Sequence, residues 1–310
     1  MSETPESDAA ELELPRAIAL AWGIAANPQR GPKREMSVER IVEAAIEVAD
    51  ADGLAAVSMS AVAARLGFTP MSLYRYVTAK DDLLLLMQEE AVGLPSEASR
   101  TAGDWRAQLT ALYDGQVARY VRHPWVLDIP ITGSPVTPNS AAWMDAGLHA
   151  LADTPLSHEE RLSVMLLVTG LARWTGIVFA GYARTQREAD VTAAELTARE
   201  DALFRALVTE DAYPHLAAAI AAGVFLDDGD PFRFGVERAL DGVAAYIASA
   251  PHPAAPPSAA ERDDDSALLA DKRYREAQKA VRQAERALRD ARKAARAVAR
   301  EARERLRRQN

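Results

Sequence analysis

Met71, Ser72, Tyr74 and Arg75, within the segment SMSAVAARLGFTPMSLYRYVTAK (58–80), fall on the exposed face at the front of one short helix. A hydroxyl, a phenol and a guanidinium at that place suit phosphate oxygens and the edges of bases in duplex DNA, a mixture that a helix serving only to pack does not need. Thr69 is positioned to cap this helix, and Pro70 fits its first position, where no N–H donor is required. Ser58 at the head of the segment and Lys80 at its end complete the candidate contact set.

Such side chains act only if two helices hold them at a fixed angle. Ala63 sits where the first helix must pass close to the second, Gly67 follows where a left-handed turn is cheapest, and Leu73 plugs the angle between them. Val62, Leu66 and Tyr76 complete the apolar wedge. Before the pair, SVERIVEAAIEVADADG predicts a helix behind a capping Ser37, with Val38, Ile41, Ala45 and Val48 at helical spacing and Gly53 as its stop. After it, a further helix is expected behind Thr78 as cap, running through Leu83 to Ala91 until Gly93 and Pro95.

From Pro32 to Leu86 the chain resembles the N-terminal domain of TetR-family (tetracycline-repressor-like) transcriptional regulators. The stretch Leu73-Tyr74-Arg75-Tyr76-Val77 followed by Lys80-Asp81-Asp82-Leu83-Leu84 carries the resemblance. It implies that Tyr74, Tyr76 and Lys80 contact phosphates, that Thr69 to Ser72 approach bases, and that the helix after Thr78 joins this head to a ligand-sensing body. The segment HPWVLDIPITGSPVTPNSAAWMDAGLHALADTPLSHEERL resembles the ligand-binding half of a branch of the same family. In the family that half dimerises around a pocket whose occupant changes the spacing of the two heads.

The expected fold is all-α, because helical periodicity dominates and no run alternates as a strand would. Its organisation is a flexible extension over 1–31, the helix-turn-helix head over 32–93, a ligand-binding and dimerisation body over 94–250, a linker over 251–265, and a long helix over 266–310. Turns containing Pro124, Pro130, Pro135, Pro138, Pro155 and Pro214 are expected to break the body into a bundle. Within the extension, Leu14 to Ala26 reads as a short helix. Arg30, Lys33 and Arg34, just before the head, form either a DNA-binding arm or a solvated linker.

In the body, Trp143, Met144, Met165, Trp174, Phe179 and Tyr182 are the large soft or aromatic candidates for lining a pocket, with Arg173 and His149 as polar anchors. Each is also a residue type that commonly fills a core. A small, largely apolar effector follows from such a lining. Phe232, Val236, Leu240, Val243 and Ile247 form a stripe read as the homodimer interface, meeting Leu162 to Ala180 of a second copy in a four-helix contact; the other reading is that the stripe faces its own domain.

Charge is segregated. The net −9 of the 310 residues divides into −18 over 1–265 and +9 over 266–310. In the last segment Ala267, Tyr274, Val281, Leu288, Ala295 and Ala302 recur every seventh residue, with Ala270, Ala277, Ala284, Ala291 and Val298 three behind, which is a coiled-coil seam. The opposite face is a cation stripe from Lys272 to Arg307. Packing against the acidic body or a second copy, added DNA affinity, and attachment to anionic membranes all remain open for it.

Catalysis finds little support: there is no glycine-rich phosphate loop, no nucleophile elbow and no thiol, and His158-Glu159-Glu160 lacks the second His of a zinc helix. The five histidines, at 123, 149, 158, 215 and 252, are scattered. No cofactor, metal or enzymatic activity is expected. Absence of cysteine, an acidic start over the first fifteen residues and no run of eighteen apolar residues lead to the expectation of a cytoplasmic protein without a membrane span. The function expected is ligand-responsive regulation, most simply repression, of a palindromic double-stranded DNA operator. The alternative is sequence-blind DNA coating through the basic helix.

Overall fold

The computed structural model describes residues 14–24, 36–131, 133, 136–226, 229–249, 271–277, 279–281, 283–284, 287, 298 and 305. Among them every regular element is helical. Arg30, Lys33 and Arg34 and the linker 251–265 lie outside the described residues. The chain divides into a unit over Met1–His252 and another over Pro253–Asn310.

In the first unit the head begins with α1 (Arg16–Ala21), followed by α2 (Val38–Asp52), α3 (Met59–Leu66), α4 (Pro70–Leu73) and α5 (Lys80–Val92). As the sequence predicts, α2 starts behind Ser37, whose Oγ accepts from the Arg40 N–H at 3.3 Å, and ends at Gly53 with φ 82°. Its buried face, including Ile41, Val42, Ala45 and Val48, meets Val62, Leu73, Val77, Leu83 and Met87 in one apolar cluster. The first thirty-one residues are not uniformly an extension: α1 packs on α5, buries Ala17, and the following Trp22 donates its indole N–H to Val136 O at 3.0 Å. Apolar burial of that helix explains its order.

The body comprises α6 (Ala98–Thr101), α7 (Trp105–Arg122), α8 (Pro138–Ala150), α9 (His158–Ala189), α10 (Ala193–Leu207), α11 (Pro214–Ala221) and α12 (Pro231–Ala248). Pro138 and Pro214 turn out to open helices rather than break them, each at a first-turn position where its missing N–H costs nothing. α9 starts with a capping box: Ser157 Oγ accepts from the Glu160 N–H, and Glu160 returns the bond to the Ser157 N–H at 2.7 Å. By length and composition alone α9 would pass as a membrane span, although it has no run of eighteen consecutive apolar residues. One of its faces, through Met165, Val168, Ala172, Thr175 and Gly176, is packed as a core helix against α7 and α8.

Glycines permit that close packing. A Cβ on Gly147 would stand 2.5 Å from Met165 Cγ, and one on Gly176 would stand 2.7 Å from Tyr120 Cβ. The last helix, α12, is clipped in place by polar contacts at both ends: Arg106 pairs with Asp241, Arg233 pairs with Asp114, and the Tyr246 hydroxyl donates to Glu160 at 2.6 Å.

In the second unit the Asp271 carboxylate accepts from the Tyr274 N–H at 2.8 Å and caps a helix over 272–277. Helix continues at 279–281, and Val281 and Val298 of the expected seam are 52% and 60% exposed. The other seam positions near the start, Ala267 and Ala270, lie outside the described residues.

Candidate nucleic-acid interface

The helix-turn-helix is built as the spacing requires. Gly67 takes the left-handed conformation at φ 76°, so the chain reverses immediately after α3. Val62, Ala63 and Leu73 are fully buried at the crossing, and Leu66 and Tyr76 close its edge. On the outer side Met71 is 73% exposed, Tyr74 is 44% exposed and Arg75 is exposed beside them. Pro70 opens α4 as expected, and Lys80 stands exposed at the first turn of α5.

Three hydroxyls are placed differently from the simplest sequence reading. Thr69 does not cap α4 through its side chain; its carbonyl instead accepts from the Ser72 hydroxyl. That bond leaves the Thr69 hydroxyl at the surface. Thr78 likewise does not cap α5, which begins one residue later behind Ala79; Thr78 donates to the Asp82 carboxylate, because a carboxylate is the stronger acceptor there. Ser58 spends its oxygen on the Ala61 N–H at 3.1 Å, capping α3.

Besides the bond from Trp22 to Val136 O, two polar connections join this head to the body. The first is α5 itself, whose far end meets α8: Glu89 accepts from the Asn139 backbone N–H at 2.7 Å, Asn139 Nδ2 donates to Glu89 O at 2.8 Å, and Trp143 Nε1 donates to Gly93 O at 2.9 Å. The second joins α2 to the turn after α7, where Asp50 Oδ1 accepts from Trp125 Nε1 at 2.7 Å and contacts His123 Nδ1 at 2.8 Å. Sequence reasoning missed both, since neither Asp50 nor Glu89 belongs to a local pattern.

The eight pocket candidates are not gathered in one place. Trp143 and Met165 line a narrow internal seam with Leu109, Leu112, Gln116, Val168 and Thr169, and the space between them admits no water molecule. Met144 is half-buried on the same helix, while His149 is exposed near the end of α8. Arg173 is consumed by the main chain, donating to Leu127 O at 2.8 Å. Its guanidinium also opposes the effect of burial, which holds the Tyr120 phenol above its ordinary pKa. Trp174 points outward at 59% exposure. Phe179 stacks edge-on with Phe232 at 5.4 Å between ring centres. Tyr182 donates to Glu200 at 2.9 Å beside an open groove of about 300 Å³ between α9 and α10.

A residue the sequence did not single out is the most suggestive in the internal seam. Gln116 is 8% exposed, its Nε2 donates to Thr169 Oγ1 at 3.2 Å, and its Oε1 has no hydrogen-bond partner. Beside it the Tyr113 and Thr175 hydroxyls share a buried bond of 2.8 Å, and burial raises the pKa of that phenol.

The expected interface stripe also lies differently. Val236, Leu240 and Val243 are buried in the chain's own core and Ile247 packs against it, because α12 lays this face on α7 and α9. Phe232 is half-buried beside Phe179, whereas Phe234, from the same helix, is 61% exposed.

Head geometry, the connecting helix and the helical body together define a two-part DNA-binding regulator. Residues 41–87 match bacterial regulatory proteins of the tetR family, and residues 97–247 match the tetracyclin repressor-like C-terminal domain. The chain belongs to the TetR family of transcriptional regulators, and is a regulator rather than an enzyme. It is 34% identical over 245 residues to the HTH-type transcriptional repressor DrrR1 of Streptomyces coeruleorubidus, covering 76% of this chain and 87% of that one. Its fold is similar to that of apo ActR from Streptomyces coelicolor, with 21% identity, a TM-score of 0.58, and coverage of 70% of this chain and 99% of ActR. ActR in complex with actinorhodin matches at 21% identity and a TM-score of 0.57, over 71% of this chain and all of that one.

Proposed function

We propose that this protein is a repressor that binds an inverted-repeat operator as a homodimer and is released by a small, largely apolar effector. The observation that carries the effector mechanism is the position of Trp143. Its ring lines the internal seam, while its N–H holds Gly93 O at the end of the helix that begins with Lys80 at the candidate DNA surface.

An effector entering beside Gln116 must part Trp143 from Met165, since the seam has no free volume for it. The opened site favours whichever position of α5 accommodates the displaced indole, and DNA affinity changes only by the effector's differential affinity for the two states. In a dimer this alters the separation of two recognition helices that must reach successive major grooves about 34 Å apart. The unpartnered Oε1 of Gln116 supplies an acceptor for a hydroxyl or N–H on an otherwise apolar ligand. DrrR1 is named a repressor, and ActR was crystallised with actinorhodin; both support the sign and the ligand class.

Dimerisation is supported by an outward face of α9. Leu162, Leu166, Trp174 and Ile177 are 39%, 54%, 59% and 44% exposed at spacings that keep them on one side of the helix. An obligate interface over this face and the outer side of α12 would bury on the order of 2,000 Å² or more. The test is to titrate actinorhodin and a panel of hydroxylated polycyclic aromatics into complexes of the protein with DNA selected from its own genome. Release by at least one compound, blunted by Trp143→Ala, is the expected result; a stoichiometry of one protein per site, or no release by any member, would refute the reading.

A further inference from the structure

The turn that follows α7, a 3-10 helix over Pro124–Asp128, is held by both parts of the molecule. Its side chains belong to the head: Trp125 and Val126, 2% and 3% exposed, sit in the same apolar cluster as Ile41, Val57 and Leu83, and Ile129 packs against it. Its carbonyls are held from the body. Arg173, half-buried on α9, donates from Nη2 to Leu127 O at 2.8 Å and to Ile129 O at 3.4 Å.

A short helical turn leaves its last carbonyls without helical partners, and a planar guanidinium with several fixed N–H donors can take two of them in one orientation. From the head, Asp50 accepts the Trp125 indole N–H at 2.7 Å and meets His123 Nδ1 at 2.8 Å. Arg173 of the body and Asp50 of the head therefore grip the same short stretch of chain.

Such a grip constrains angle. The connecting helix α5 is anchored on α8 at its far end, and an anchor at one end fixes the reach of a helix better than its rotation. A second attachment on α2 removes that rotation. Because α2 shares one apolar cluster with α3 and with Leu73 of α4, its angle is also the angle of the exposed Met71, Tyr74 and Arg75.

We propose that Arg173 is a positioning residue for DNA recognition: by holding the carbonyls of the turn that Asp50 and the head's apolar cluster lock in place, it sets the angle at which the recognition helix is presented. The consequence is spacing. Two heads of a dimer must meet half-sites about 34 Å apart, and one base pair moves a half-site by about 3.4 Å. Heads held at one angle discriminate against an operator with one base pair inserted, whereas heads that swivel accept it. That consequence rests on the proposed dimeric operator; the clamp itself does not.

The chain has no cysteine, so Glu43→Cys on α2 and Asp153→Cys after α8, both exposed, give a unique pair of spin-label sites across head and body. Labelled full-length protein is diluted with unlabelled protein, so that pulsed electron resonance reads distances within one chain. Arg173→Met keeps much of the stem and removes every side-chain donor, and should broaden the distance distribution; Arg173→Lys, with an ammonium donor, should restore part of it. Asp50→Ala should broaden it as well and add little to Arg173→Met, since a link in series is lost only once. On an operator selected from the genome, Arg173→Met should cut the preference for native over one-base-pair-expanded spacing by about 10-fold, the factor carried by one hydrogen bond to a charged group. A merely structural Arg173 would lower the melting temperature and leave both the distribution and the spacing preference unchanged, which would overturn the proposal, as would additive broadening in the double variant. If the original protein selects no inverted repeat, the dimeric reading fails and the distance distribution alone decides the clamp.

Discussion

Trp125 donates its indole N–H to Asp50 across the junction of head and body, at 2.7 Å, with the indole only 2% exposed. Asp50 also receives His123 at 2.8 Å, so one carboxylate near the end of α2 fixes two rings of the turn after α7. Replacing it strands a buried donor. We expect Asp50→Ala to lower unfolding stability by about 1–3 kcal/mol, the usual cost of an unsatisfied buried group, with Asp50→Asn intermediate because an amide oxygen can still accept. Chemical denaturation of the three proteins checks this.

Gly67, at φ 76°, sets the angle of the recognition helix. Gly67→Val places a β-branched residue where an L side chain is disfavoured by about 1–2 kcal/mol. Strain at this turn acts on α4 first. DNA binding should be lost while the body still unfolds cooperatively, as seen by mobility shift beside calorimetry.

The two helical close approaches give a sharper test of packing. Gly176→Ala puts a methyl 2.7 Å from Tyr120 Cβ, and Gly147→Ala puts one 2.5 Å from Met165 Cγ. Overpacking of this kind costs about 1–3 kcal/mol. Only Gly147→Ala lies against the seam residue Met165, so it alone should also alter effector response, measured by release of bound DNA.

The outward face of α9 should respond to charge. Leu166→Glu with Trp174→Glu introduces carboxylates where both side chains are more than half exposed in the single chain, so its folding should be little changed. Sedimentation should show a monomer, and DNA affinity should drop by at least about 100-fold when two heads no longer bind as one.

Acid should weaken one of the clips on α12, the pair of Arg106 with Asp241. Arg106 foremost, and then Arg238, hold the Asp241 carboxyl below its usual pKa. A depressed folded value means the stabilisation is present above the ordinary carboxylate pKa and is lost as pH falls through the lowered one. The Tm difference between original and Arg106→Gln should therefore be small at pH 7 and shrink towards zero as pH falls below the ordinary carboxylate range and through the lowered Asp241 value.

The helix-turn-helix was legible because its determinants are local: Ser37, Ala63, Gly67, Pro70 and Leu73 each act within a few residues of themselves. Caps were less so, since Thr69 and Thr78 have more than one neighbour to bond and the choice depends on where the helix begins. The α12 stripe of Val236, Leu240 and Val243 was visible as apolar, but periodicity cannot say whether such a face meets its own body or another copy. Pocket candidates failed to converge for the same reason. Arg173 reads as an anchor by type, and only the fold shows its guanidinium spent on Leu127 O.

The most direct measurement is selection of genomic DNA fragments by the purified full-length protein at about 150 mM salt, where specific binding can be separated from phosphate attraction. A repressor that reads DNA through Met71, Ser72, Tyr74 and Arg75 of two heads should enrich a common inverted repeat, and the preference should relax with Arg75→Ala. Fragments recovered without any shared sequence would contradict it.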